Sequence, residues 1–226
     1  MAQCSCETLC VQAGSGDIGE RDEKAEVGGQ RSDVRTEGLL IMTHELLFAG
    51  FGGQGVLSMG MTLAYAGMIE GKEVSWMPSY GPEMRGGTAN CVVIVSDKPI
   101  SSPMVTKFDA VVALNQPSLD KFEKAVHPGG VLIYDSSSTI IPPSRTDVTV
   151  VPVPVEEEAL RIGNPRVKNM VMLGAFLGVC EVVHRSSVLK ALTEVLPERY
   201  HHLIDVNRQA LERGEAAVIE AVTPLV

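Results

Sequence analysis

The 226-residue sequence predicts an α/β fold: a three-layer domain with a mostly parallel central sheet and a helical C-terminal part. Three observations carry that prediction. Short apolar, β-branched runs at 46–49, 90–95, 110–114, 131–134 and 148–153 have the length and bounding turn residues of buried strands. Beyond Pro154 such runs stop and helical segments take over. Hydrophobic residues make up 45% of the chain while aromatics make up only 4%, so the core must be built from aliphatic, methionine and alanine side chains, with helices packing closely through small residues. The length suits one core with a short additional piece, and two full domains are not expected.

In chain order, residues 1–41 are rich in Gly, Ser, Asp and Glu and poor in large apolar side chains, so they cannot bury enough surface to offset the entropy of ordering. They read as a disordered or mis-started extension, with Met42 standing immediately before the first strand and a single domain running over 42–226. Cys4, Cys6 and Cys10 fall short of a four-ligand metal set. Leu46 to Ala49 forms the first strand, Gly50-Phe51-Gly52-Gly53-Gln54-Gly55 a glycine turn, and Val56 to about Ile69 a helix with no polar face, which needs cover on both sides. Glu73 to Met77 is a second strand, expected to run parallel to the first because a helix intervenes. The Gly- and Pro-dense loop Pro78 to Thr88 then leaves the same, carboxyl, sheet edge as the glycine turn.

The strands at 90–95, 110–114 and 131–134 read as buried parallel strands, with an amphipathic helix at 117–126 whose Ser118, Asp120, Lys121 and Lys124 point outward. Four helices follow, at about 155–162, 167–183, 186–195 and 202–221. A serine of His184-Arg185-Ser186-Ser187 is placed to cap the third, and His201-His202 to lie on a helix surface.

The glycine turn satisfies the G-x-G-x-x-G spacing of a Rossmann-like unit, in which the following helix directs unpaired N–H groups at an anion. A tight corner without a ligand has the same signature. A dinucleotide site also needs Asp or Glu at the end of the second strand; here Trp76-Met77-Pro78 stands there, which disfavours NAD or FAD, and no Walker lysine is present. In the second loop Tyr80, Glu83, Arg85 and Thr88 are held between Gly81-Pro82 and Gly86-Gly87, a polar set on a conformationally restricted backbone that suits contact with a ligand or a partner.

The net charge of −9 argues against non-specific attraction to nucleic acid or to an anionic membrane. No secretory signal pattern is evident, and the apolar stretch from Met170 falls short of the roughly 20 residues a membrane span needs, so a cytoplasmic protein is expected. Cys91 and Cys180 sit in apolar runs as small hydrophobes. No nucleophile elbow, zinc-protease motif or cysteine with an evident base stands out, and the apolar surplus of 56–69 and 167–183 points to burial against another subunit.

At these residues the chain closely resembles the gamma subunit of the 2-oxoacid:ferredoxin oxidoreductases, the family acting on pyruvate, 2-oxoglutarate and branched-chain 2-oxoacids. The match rests on G-F-G-G-Q-G at 50–55, S-Y-G-P-E-M-R-G-G-T-A at 79–89, S-D-K-P-I-S-S-P at 96–103, A-L-N-Q-P-S at 113–118 and N-M-V-M-L-G at 169–174, and covers about 44–215. The resemblance implies a complex that decarboxylates a 2-oxoacid oxidatively to its coenzyme A ester and reduces ferredoxin. It implies thiamine diphosphate, Mg2+ and 4Fe-4S clusters held by partner alpha and beta subunits and, in some members, a ferredoxin-like delta subunit. The gamma chain itself would ligate no cofactor and be inactive alone. Its contact residues would be Gly50, Gly52, Gly53, Gln54, Gly55, Tyr80, Glu83, Arg85, Gly86, Gly87 and Thr88, near the coenzyme A path or the cofactor-bearing subunits, with Arg85 toward a phosphate or carboxylate and Gln54 in a polar contact. The form of the second loop favours 2-oxoglutarate, with branched-chain and pyruvate members as alternatives. Of other classes, a stand-alone nucleotide- or coenzyme A-binding protein and a non-catalytic assembly subunit remain open.

Overall fold

A computed structural model describes residues 42–81 and 87–222, so the expectation for residues 1–41 lies outside the described residues. Six strands, β1 (Thr43–Phe51), β2 (Glu73–Tyr80), β3 (Thr88–Ser96), β4 (Phe108–Ala113), β5 (Val126–Asp135) and β6 (Thr149–Val153), form one sheet in the order β2-β3-β1-β4-β5-β6. Pairings β1–β4, β4–β5 and β5–β6 are parallel. β3 runs antiparallel to both β1 and β2, with Phe48 opposite Cys91 and Trp76 opposite Val93. This corrects the reading of 90–95 as a parallel strand. The segment between β2 and β3 is too short for the crossover of a dozen or more residues that a parallel neighbour requires. β1 and β2 still point the same way, since both oppose β3, so their following loops do leave one sheet edge.

Pleating divides the core in two. Leu46, Phe48, Val93, Val112 and Ile133 face the side covered by α1 (Val56–Ile69), α4 (Lys168–Val179) and α6 (Ile204–Val222). Leu47, Ile94, Val111 and Leu132 face the side covered by α2 (Gln116–Phe122). Elements α3 (Val155–Arg161) and α5 (Arg185–Val195) complete the first layer, α5 against α1 and α3 against α4 and α6. The rings of Phe48 and Phe176 meet edge to face at 5.5 Å, joining sheet to α4.

Small residues set the closest helix contact. A Cβ on Gly174 of α4 would run into the Leu211 carbonyl of α6, and one on Gly214 of α6 into the Val171 carbonyl of α4. The expected close packing through small residues is realised there.

Four helix boundaries differ from expectation for local reasons. The 117–126 helix ends at Phe122 and continues as a 3₁₀ turn, Glu123–Ala125. Its Ser118 is buried, not outward, because the Ser118 N–H donates to Asn115 Oδ1 (3.0 Å) at the helix N-terminus. α4 stops at Val179, where Cys180 is extended. α5 starts at Arg185 with no side-chain cap, so no serine plays that part; the His184 N–H donates instead to Glu70 Oε1 at 2.6 Å. α6 begins only at Ile204, after a 3₁₀ turn (Glu198–Leu203) that His201 Nε2 braces by bonding the Leu196 carbonyl at 2.9 Å. Among the described residues no helix is long and apolar enough to cross a membrane.

Candidate functional site

β1 carries the chain into the glycine turn, and α1 begins directly after it at Val56. Two of the glycines adopt positive φ, Gly53 at 97° and Gly55 at 79°, a region that side chains with a Cβ seldom enter. They differ in surroundings: a Cβ on Gly53 would meet open space, whereas one on Gly55 would fall 2.7 Å from Asn169 Nδ2 of α4. Gly50 has no place for a Cβ either, which would lie 2.8 Å from both Gln54 Oε1 and Val56 Cγ2.

Gln54 turns into the protein. Its Oε1 accepts from the Phe51 N–H (2.6 Å) and from Asn115 Nδ2 (2.9 Å), and its Nε2 donates to the Leu114 carbonyl (3.2 Å). The side chain expected to make a polar contact ties the glycine turn to the end of β4 and the cap of α2.

The described ends of the second loop lie beside the first. The Gly52 N–H donates to the Gly87 carbonyl at 2.8 Å, and the Gly81 N–H to the Thr88 carbonyl at 3.1 Å. Between them lies a cavity of about 430 Å³, within the range of small-molecule sites, walled by Phe51, Gly52, Gly53, Gly55, Val56 to Ser58, Tyr80 and Gly87 to Ala89. The first N–H groups of a helix have no intrahelical partner, and α1 presents its first turn to this cavity with no acidic residue in it. Ser58 Oγ donates to the Gly55 carbonyl (2.9 Å) and accepts from Asn169 Nδ2 (3.3 Å), which fixes the turn on α4.

Of the expected contact residues, Gly52, Gly53, Gly55, Tyr80, Gly87 and Thr88 come together on this cavity; Gly50 and Gln54 stand behind it. Glu83, Arg85 and Gly86 lie outside the described residues. Sequence reasoning missed Phe51, Leu57 and Ser58 as cavity wall and Asn115 and Asn169 as braces. Asn115 was legible as a cap, since Asn precedes Gln116-Pro117 as an N-terminal signature; nothing local marks Asn169.

Burial pushes both the Cys91 and the Cys180 thiol up to about 12, so neither is a nucleophile near neutrality. His44, Asp109, His127 and Cys180 border a smaller cavity of about 250 Å³ at the opposite sheet edge. Among the described residues no three His, Cys, Asp or Glu side chains are placed to share a metal ion.

An open α/β sheet with a cavity between two glycine loops at its carboxyl edge places the chain in the class of open α/β domains, whose ligand sites lie at the carboxyl ends of the strands. Comparison with known proteins narrows it. Residues 45–217 match the model of the pyruvate ferredoxin/flavodoxin oxidoreductase family. The chain is 44% identical over 167 residues to the ketoisovalerate oxidoreductase subunit VorA of Methanothermobacter thermautotrophicus, covering 74% of this chain and 34% of that one. It is 37% identical over 163 residues to the 2-oxoglutarate synthase subunit KorC of Methanocaldococcus jannaschii, covering 70% of this chain and 86% of the relative. The crystal structure of a keto/oxoacid ferredoxin oxidoreductase gamma subunit from Geobacter sulfurreducens superposes with a TM-score of 0.69 at 32% identity, over 80% of this chain and 98% of that one. The chain belongs to the pyruvate ferredoxin/flavodoxin oxidoreductase family, with gamma-type chains as its counterparts. It spans about a third of the length of the VorA relative.

Proposed function

We propose that the chain serves as the gamma subunit of a multisubunit 2-oxoacid:ferredoxin oxidoreductase, which converts a 2-oxoacid and coenzyme A into the acyl-CoA and CO2 while two ferredoxins are each reduced by one electron. The observation that carries this reading is the convergence of two family motifs, 50–55 and 79–89, on one cavity at the ligand-binding edge of the sheet. In it the first turn of α1 meets an anionic group of coenzyme A or of a partner's segment, and Tyr80 and Leu57 cover its apolar part; Arg85 remains the candidate cationic fork for a phosphate or carboxylate. Thiamine diphosphate would supply the electron sink for decarboxylation, and it, Mg2+ and the 4Fe-4S clusters are assigned to alpha and beta partners and a ferredoxin-like delta chain. This chain shapes and closes the site in the cytoplasm and has no activity alone. Residues 42–226 are its folded unit, with 1–41 dispensable.

Two substrates are favoured. Identity is higher to the ketoisovalerate relative than to the 2-oxoglutarate relative, which supports a branched-chain 2-oxoacid. The Y-G-P-E-M-R-G-G-T-A-N-C form of the second loop supports 2-oxoglutarate. Reconstitution with the alpha and beta chains, assayed by viologen reduction on 2-oxoisovalerate, 2-oxoglutarate and pyruvate, separates them by kcat/KM. Omitting this chain is expected to lower the rate about tenfold or more, equivalent to about 1.4 kcal/mol of barrier. Equal rates without it would overturn the reading, as would viologen reduction by the isolated chain.

A further inference from the structure

A second cavity, of about 310 Å³, opens within the helical layer, where α1, α4, α5 and α6 and the turns before α4 and α6 meet. Its volume is within the range of small-molecule sites. Ser58, Thr62, Asn164, Arg166, Asn169 and Asn207 bring polar groups to it, and Met170, Leu192 and Leu203 stand among its apolar wall. Polar side chains at this depth cost free energy unless hydrogen bonds offset it, and Thr62 is 1% exposed and Asn207 9%.

The bonds within the protein use only part of what these groups offer. Thr62 Oγ1 donates to the Ser58 carbonyl (2.8 Å), Asn207 Nδ2 to the Leu203 carbonyl (2.9 Å) and Asn169 Nδ2 to Ser58 Oγ (3.3 Å), while Asn164 Oδ1 accepts from the Arg166 N–H (3.0 Å). An amide side chain has two N–H donors and a carbonyl oxygen, so all three asparagines retain donors for a guest.

Charge points the same way. The cations on either side of Arg166 in the chain are paired, Arg161 with Glu158 and Lys168 with Glu156, and Glu158 also takes Arg213. Arg166 makes no ion pair among the described residues, and no Asp or Glu borders the cavity. The first turn of α4, which reaches the cavity at Asn169 and Met170, carries no acidic residue either. The cavity therefore holds one uncompensated positive charge, amide donors beside it and an aliphatic wall.

We infer that this cavity is a binding site for a short-chain aliphatic carboxylate. The carboxylate meets the Arg166 guanidinium, whose planar fork matches it, and the asparagine amides; the alkyl end lies against Met170, Leu192 and Leu203. A single cation balances a monoanion, and the aliphatic wall suits a ligand with an apolar body, which inorganic phosphate lacks. The site is distinct from the glycine-loop cavity, although Ser58 borders both.

The test titrates the isotope-labelled full chain with isovalerate at millimolar concentration and follows the Arg166 Nε–H and the side-chain amides of Asn164, Asn169 and Asn207 by nuclear magnetic resonance. Saturable shifts at these groups are expected. Arg166→Gln should weaken binding about tenfold or more, since it removes the charge-assisted bonds. Its melting temperature should be unchanged, because Arg166 is exposed and unpaired in the free chain. Isoamyl alcohol, which has the same alkyl group without the charge, should bind about tenfold more weakly than isovalerate, and inorganic phosphate should give no saturable shift. Absence of saturable shifts with isovalerate, equal binding by Arg166→Gln, or equal binding of the alcohol or of phosphate would overturn the assignment. So would isovalerate shifts confined to Gly52, Gly53 and Tyr80, which would place the ligand in the other cavity.

Discussion

Gly53 and Gly55 show how two residues of the same type, both at positive φ, are held for different reasons. Gly53→Ala pays only for its backbone region, about 1 kcal/mol. Gly55→Ala adds a clash with Asn169, the residue that bonds Ser58, and should cost about 2 kcal/mol or more. Urea midpoints of the two variants check this; equal losses would mean that Asn169 yields freely. His44 gives a second residue-level expectation. Burial, the largest influence, holds its imidazole below the ordinary 6.5; Lys72 acts in the same direction, and Asp109 and Asp97 oppose them. The folded chain therefore binds this proton more weakly than the unfolded chain does. The stabilisation is complete above about pH 6.5 and is lost as pH falls through the folded value. Urea midpoints measured from about pH 7.5 down to about pH 5.5 should fall for the wild type, and less steeply for His44→Gln.

Between elements, the crossing of α4 and α6 decides a substitution against its helix propensity. In an exposed helix interior Gly→Ala gains about 1 kcal/mol. At Gly174 and Gly214 the added methyl meets the backbone of the opposite helix, Leu211 and Val171 respectively, and backbone cannot rotate out of the way as a side chain could. Gly174→Ala and Gly214→Ala should each destabilise by about 2 kcal/mol or more, read as a lower melting temperature of several degrees. A rise in melting temperature would show that the helices separate without cost. The same crossing places Asn169, at the start of α4, beside the glycine turn, so pushing the helices apart should also loosen the cavity wall.

For the molecule as a whole, β1 closes the fold at its N-terminal end within the described residues. The Met42 N–H donates to Asp97 Oδ2 at 3.0 Å and the Asp97 N–H to the Met42 carbonyl at 3.1 Å, which ties the strand start to the end of β3. A chain begun at Met42 is expected to keep the melting temperature of the full-length protein and its recovery with partner chains. A clear drop in either would show that residues 1–41 belong to the working unit. Both cores lie against one sheet, and the cavity forms where its carboxyl edge meets the two glycine loops, so stability and the proposed site depend on the same strands.

Local pattern by itself determined the strand–glycine turn–helix unit at 46–69, the succession of strands and later helices, and the meeting of both glycine loops at one sheet edge. Each of these follows from period, turn chemistry and the direction a helical crossover imposes. The antiparallel course of β3 was also implicit in the shortness of the segment between Tyr80 and Thr88, which leaves no room for a parallel crossover, yet β-branched runs look alike whichever way they pair. Three features were decided only by tertiary structure. Gln54 meets Leu114 and Asn115, 60 and 61 residues away, and so braces the glycine turn from within. Gly174 and Gly214 mark a helix crossing that neither helix's sequence announces. Ile140 and Ile141 read as part of a loop and became a surface feature once Gln116 fixed them facing outward. The reason is common to all three: a side chain's type constrains its own backbone, but its partners come from segments that only the folded sheet brings within reach.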